Sequence, residues 1–315
     1  MSRFFIVFSL VLTTTTLTTV IADDVDKVWA QWLSDPPAIA VKAAANLTER
    51  ADWLVNQYLS GNTTLNITGS VDVVVSGGGS LDAYFMGGYM ILHRLEKMGG
   101  INIPRFRGPS AGGMMPFELL LRGENLTLIN RLAYSVLEEY FPKDFYDNYT
   151  NAMLVEDRHL RIGAHYFMST YADRLSSVNG RVSLALSCRD PHPKLVIVSN
   201  FTSPIQAEHA FIATGAFAEE YDGMLCSDGG DVSGPNQTPL FQDHVRDQLV
   251  VNLMSTDQPP WAWVMTDLSA YVSLIEQGQN EMVYFLKTGT CREDAISLCP
   301  AKADVKTLVC KNTGV

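Results

Sequence analysis

"VVVSGGGSLDAYFMGG" occupies Val73–Gly88. With Val71 it puts four valines into five positions, and Gly77, Gly78 and Gly79 follow almost at once. A short β-branched run closed by glycine predicts a strand over 71–75, buried on both faces as in a parallel sheet. Beyond the glycines, Tyr84, Met86, Tyr89, Met90, Ile91 and Leu95 lay an apolar stripe along a helix that Gly99 and Gly100 end. A strand, a bare turn and a helix in that order can aim backbone N–H groups at an anion. A phosphate loop would continue with Lys and then Ser or Thr, and this one does not. A dinucleotide turn of the form G-x-G-x-x-G needs glycine where Asp82 stands, and a carboxylate there would face a pyrophosphate. Both phosphate readings are poor, which favours an oxyanion hole.

Working outward, residues 24–58 read as helical, anchored by Trp29, Trp32, Trp53 and Leu54. A polar loop, 61–69, leads into the valine strand. "MMPFELLL" after residue 113 starts another apolar helix, and 124–178 read as mainly helical and rich in aromatics. Strands are predicted over 181–187, 194–201 and 247–254, and a last helix over 267–289. Strands alternate with helices, which predicts an α/β fold with a mainly parallel central sheet flanked by helices. There is no internal repeat and no linker that would split the domain.

Two further stretches carry candidate chemistry. Gly108-Pro109-Ser110-Ala111-Gly112 matches G-x-S-x-G. That pattern suits a sharp strand-to-helix turn with a serine at its apex and glycines where backbones pass closely. The hydroxyl then stands at a helix N-terminus, which favours developing negative charge. The same five residues also read as a glycine-rich helix start capped by Ser. Asp228-Gly229-Gly230 follows the strand-like Met224-Leu225-Cys226. The two glycines let the chain turn while the carboxylate stays at the sheet edge, although a plain D-G turn gives the same letters.

Taken together and in this order, "SGGG" after a valine strand, "GPSAGG" about thirty residues later, and "SDGG" followed by "NQTP" resemble a patatin-like phospholipase domain. The resemblance runs from Val71 to the end of the last helix. It implies a patatin-like modified α/β-hydrolase fold and a Ser-Asp dyad without histidine, with Ser110 as nucleophile and Asp228 as general base. It implies an oxyanion hole built from Gly77, Gly78 and Gly79, a nucleophile elbow framed by Gly108 and Gly112, and an acyl-serine intermediate. The implied substrates are glycerophospholipids, galactolipids or acylglycerols met at a membrane or micelle interface, with no metal or organic cofactor. One departure stands out. The family commonly has Arg or Lys and then Gly where this chain has Leu81 and Asp82. Leu81 is similar to the triglyceride-lipase branch, whereas Asp82 is expected to strain the turn and to set a negative charge near the oxyanion. That expectation keeps a catalytically impaired lipid-binding or storage glycoprotein as the alternative.

The whole chain bounds the setting. Its 315 residues are 47% apolar and carry a formal charge of −11, which argues against nucleic acid and against electrostatic docking on anionic membrane. Arg3, the apolar run from Phe4 to Leu12, and Val20-Ile21-Ala22 predict a signal peptide over 1–22, too short to span a bilayer. The remaining divisions are a helical extension with its loop over 23–69, the phospholipase-like domain over 70–290 and a cysteine-containing tail over 291–315. No other stretch is long and apolar enough for a transmembrane helix. Asn46, Asn62, Asn66, Asn125, Asn148, Asn200 and Asn236 each begin an N-x-T triplet, and Asn236, with Pro239 just beyond, is the poorest acceptor. The expected destination is therefore extracellular, or the lumen of the endomembrane and vacuolar system. Five cysteines, Cys188, Cys226, Cys291, Cys299 and Cys310, allow two disulfides and one thiol, with at least one bridge in the tail. A conventional Ser-His-Asp esterase would have to draw on His244, the one late histidine in a suitable place.

Overall fold

A computed structural model describes residues 23–61, 70–79, 82–137, 140, 149–189, 192–216, 218–230, 247–251, 267–288, 301–304 and 307–309. Helix α1 covers 23–32 and helix α2 Ala38–Leu59; the break between them falls at Pro36 and Pro37, where the helix expected over 24–58 divides. Strand β1 (Val71–Val75) leads to α3 (Asp82–Lys97), and β2 (Phe106–Pro109) to α4 (Ser110–Arg122) and α5 (Glu124–Leu137). Helix α6 (Tyr149–Thr170) and a 3₁₀ turn precede β3 (Val182–Arg189), β4 (Pro193–Val198) and α7 (Pro204–Gly215). Then come β5 (Glu219–Tyr221), β6 (Met224–Asp228), β7 (Asp247–Val251), α8 (Leu268–Thr288), β8 (Ala301–Asp304) and β9 (Thr307–Val309).

All described strands join one sheet in the order β5-β6-β3-β2-β1-β7-β9-β8, with β4 also on β3. The centre, β3-β2-β1-β7-β9, is parallel, while β4, β5, β6 and β8 add antiparallel margins. The α/β expectation holds, and the tail expected only to carry cysteines contributes two strands. Every residue of β1 is buried, including Asp72, which Arg105 pairs. Such a strand reads as a continuous apolar run because helices cover both of its faces.

The pair of glycines that closes the opening stretch, Gly87 and Gly88, belongs to packing. A Cβ on Gly87 would lie 2.1 Å from the Ile275 carbonyl oxygen of α8, and one on Gly278 would lie 2.0 Å from that of Tyr84. The backbones of α3 and α8 therefore touch, and only glycine leaves room at the crossing. Tyr84 adds a hydrogen bond to Glu281, and Gln279 Nε2 donates to the Leu47 carbonyl of α2 at 3.1 Å. Ala44, Leu47, Ala51, Val55 and Tyr58 place α2 in the same apolar core as α3 and α8. Trp29 is buried and Trp32 packs against the core, but Trp53 is 57% exposed and is not the anchor expected. It sits on the outer face of α2, one position before the buried Leu54. Gly99, at φ +74°, closes α3 as predicted. Among the described residues no helix is long and apolar enough to cross a membrane.

Candidate active site

Gly77 and Ser110 follow the C-terminal ends of the central strands β1 and β2, and Asp228 ends the antiparallel strand β6. Ser110 follows the last residue of β2 and opens α4, with φ +49°. Positive φ is costly for a residue with a Cβ, because it brings that atom toward its own carbonyl. Only Ser110 and Asp222 adopt it among the described non-glycine residues. The surroundings hold Ser110 there. Its backbone N–H donates to Thr214 Oγ1 at 3.1 Å, and the Thr214 hydroxyl donates to the Ala185 carbonyl at 2.7 Å. Thr214, on α7, is fully buried. Sequence reading missed it, since nothing in "FIATG" sets it apart from a helix-core threonine.

Glycine surrounds the turn for a spatial reason. A Cβ at Gly108 would stand 2.3 Å from the Val75 carbonyl oxygen. One at Gly112 would stand 2.4 Å from the carbonyl oxygens of both Val75 and Ser76, and one at Gly113 2.4 Å from that of Gly108. The end of β1 thus lies directly against the first turn of α4. This contact brings the glycine loop to the serine: a Cβ on Gly77 would be 3.2 Å from Ser110 Cβ and 3.9 Å from its Oγ. Gly77 is half-buried, Gly78 buried and Gly79 exposed. Among the described residues neither Gly77 nor Gly78 donates a backbone hydrogen bond.

Asp228 arrives by a different route. Strand β3 pairs with β4 along Leu184–Arg189, which occupies one edge. Strands β2 and β6 must therefore share the other edge, end to end. Pro109 pairs with Ala185 and Asp228 with Leu186, so the two chain ends meet head-on at neighbouring rungs. Gly229 lets them meet, because a Cβ there would lie 2.2 Å from the Ala185 carbonyl oxygen and 2.8 Å from Pro109 Cβ. The Asp228 backbone N–H donates to the Ala216 carbonyl at 2.9 Å, and its Oδ1 accepts from the Gly230 N–H at 2.8 Å. Among the described residues the Ser110 hydroxyl makes no hydrogen bond. A disulfide, Cys188–Cys226, ties β6 to β3 two residues before Asp228. The three tail cysteines lie outside the described residues.

Asp82 is not placed as expected. Its φ is not positive, so the turn is unstrained there. It opens α3, where a carboxylate suits the helix N-terminus. The side chain is buried, ion-paired with Arg131 of α5 at 2.5 Å and bonded by the Tyr271 hydroxyl of α8 at 2.6 Å. Burial raises its carboxyl, while Arg131 and Tyr271 pull the other way. Arg131 also pairs with Glu118, which pairs with Arg122, so two carboxylates and two guanidinium groups balance inside the protein. Glu156 lies beside this cluster. Its Oε1 is sealed from solvent without a partner among the described residues, and burial pushes the carboxyl up to about 8.

Four of the described histidines have neighbours other than Ser110. His159 faces Asp26 and Tyr134, His165 faces Glu208, and His209 faces Glu219. His93 lines a small crevice with Tyr89, Phe106 and Pro116, and burial lowers it to about 4. His244 lies outside the described residues. Among those described, no group of three His, Cys, Asp or Glu side chains is placed to hold a metal ion. Of the sequon asparagines, Asn46, Asn125 and Asn200 are exposed, and Asn62, Asn66, Asn148 and Asn236 lie outside the described residues.

No family model matches the chain, and no curated protein does. Among solved structures it is similar to a chain of the heterodimeric ExoU–SpcU complex from the type III secretion system of Pseudomonas aeruginosa. The identity is 16% and the TM-score 0.34, over 70% of this chain and 52% of that one. The chain thus spans about half the length of that relative.

Proposed function

We propose that the protein is a serine acyl hydrolase acting on lipid esters, with Ser110 as nucleophile and Asp228 as general base. The observation that carries the reading is Ser110 at positive φ on a strand-to-helix turn, with the Gly77 backbone against its side chain. A hydroxyl held at that apex is exposed for attack, and strain of this kind persists where the surroundings over-determine it. The head-on meeting of β2 and β6 supports Asp228 as the base, since it fixes the carboxylate's backbone one rung from Pro109.

In the proposed reaction, Ser110 Oγ attacks the ester carbonyl carbon while its proton passes to the Asp228 carboxylate. The carbonyl oxygen becomes an oxyanion, received by N–H groups of Gly77, Gly78 and Gly79 at the N-terminal side of α3. The tetrahedral centre collapses, the C–O bond to the alcohol breaks, and Asp228 returns the proton to the leaving oxygen. Water then attacks the acyl-Ser110 ester by the same steps and frees the fatty acid. The Arg131 partner of Asp82 offsets the charge that favoured an impaired binding protein, so the reading stays with an enzyme. The leader expected over 1–22 and the sequons support a secreted or lumenal glycoprotein.

The test uses the secreted, glycosylated protein beside Ser110→Ala and Asp228→Asn, each given mixed phospholipid and acylglycerol micelles. Fatty-acid release by the wild type, abolished in Ser110→Ala and strongly reduced in Asp228→Asn, is the expected result. Release that persists in Ser110→Ala sinks the assignment of the nucleophile. No release from a folded wild type sinks the enzyme reading.

A further inference from the structure

Pro116 lies inside α4, four residues after Gly112. Proline has no N–H, so the Gly112 carbonyl loses the helical partner that position 116 would supply. A buried carbonyl without a donor is unfavourable, and the protein provides one from another helix. The Tyr89 hydroxyl donates to the Gly112 carbonyl at 3.1 Å. Tyr89 belongs to α3, the helix that follows the Gly77–Gly79 loop, and it is 3% exposed. Its ring is held edge-on to Phe106 of β2 at 5.7 Å. Burial raises the phenol well above its ordinary value, so it stays protonated and remains a donor.

This bond joins the two elements on which the proposed reaction depends. Gly112 is in the first turn of α4, two residues after Ser110, and its Cα lies against the end of β1. We infer that Tyr89 is a positioning residue for Ser110: its hydroxyl supplies the bond that Pro116 removes and so locks the serine turn to the helix behind the glycine loop. The inference rests on the Ser110 hydrolase reading. Within that reading it assigns to Tyr89 and Pro116 a joint role that no sequence motif marks.

The pairing makes a specific demand on a double-mutant cycle. Pro116→Ala restores an N–H at position 116, so α4 can satisfy Gly112 itself and Tyr89 becomes dispensable. Fatty-acid release from phospholipid and acylglycerol micelles would be measured for the wild type, Tyr89→Phe, Pro116→Ala and the double variant of the full chain. Tyr89→Phe should lower kcat about fivefold, the worth of one ordinary hydrogen bond, with KM unchanged. In the Pro116→Ala background the same substitution should leave kcat within about twofold. Pro116→Val offers a second route to the same N–H if the alanine variant folds poorly. Equal losses in both backgrounds would mean that the Tyr89 hydroxyl acts independently of Pro116, and overturn the inference. An unchanged kcat in Tyr89→Phe overturns it too, while leaving the Ser110 reading intact. Absence of Ser110-dependent release in the wild type overturns the hydrolase reading itself, and this inference with it.

Discussion

Thr214→Val is the most direct test of how the serine turn is held. Valine keeps the shape of threonine and replaces the hydroxyl with a methyl group. That hydroxyl accepts the Ser110 N–H at 3.1 Å and donates to the Ala185 carbonyl at 2.7 Å, at a site that is fully buried. Water cannot take its place, so two backbone groups lose their partners together. Each such loss costs about 1–3 kcal/mol, and the pair about 2–6 kcal/mol. In a chain of 315 residues that is a fall of about 3–9 °C in unfolding temperature. Activity should fall further than stability implies. Ser110 at φ +49° pays a local strain, and without its N–H anchor it relaxes and carries Oγ off line. A loss of about tenfold or more in kcat is expected, as for a misplaced catalytic group. Thr214→Ser keeps the hydroxyl and should recover most of both. Calorimetry and fatty-acid release read the two effects separately. A Thr214→Val protein that unfolds within about 2 °C of wild type, with unchanged kcat, would refute the claim that this bond holds the turn.

Two further outcomes follow from packing and charge. Gly112→Ala should destabilise by about 3 kcal/mol or more, because its Cβ would meet two backbone oxygens at 2.4 Å, whereas Gly77→Ala should cost about 1 kcal/mol, since its Cβ meets the Ser110 side chain at 3.2 Å. Equal unfolding temperatures for the two variants would contradict this spatial account. Glu156 is raised from 4.5 to about 8 by burial, so the folded protein holds its proton more tightly than the unfolded chain. The resulting cost is absent below pH 4.5, grows up to pH 8 and is complete above it. Glu156→Gln should therefore gain unfolding temperature relative to wild type between pH 5 and about pH 8.5, and a difference independent of pH would show that the carboxyl titrates normally.

Much of the fold was legible because its signals are local. A valine run closed by glycines can serve only as a buried strand and a turn, and β1 with α3 follows that reading. The glycines of G-x-S-x-G and Gly229 after Asp228 mark places where a Cβ would collide, and each collision is now a distance. What the letters could not show was which backbone each glycine touches. Gly87 and Gly88 fell inside the helix read from the apolar stripe with no role assigned, yet Gly87 meets α8, an element far along the chain. Asp82 read as a charge set against the oxyanion because its partners, Arg131 and Tyr271, come from two later helices. Trp53 read as an anchor because side-chain size does not say which face of a helix is inward.

The sequence by itself determined most of the central strands, turns and helices, since strand propensity, glycine freedom and helical periodicity act over a few residues. It also marked the serine and the aspartate as unusual. Only the tertiary structure decided that β2 and β6 share one edge of β3, so that Pro109, the residue before Ser110, and Asp228 end at adjacent rungs. It alone assigned Thr214 and Tyr89 to the backbone of the serine turn. Hydrogen-bond partners distant in sequence are selected by how sheet and helices stack, and that packing depends on the whole chain at once.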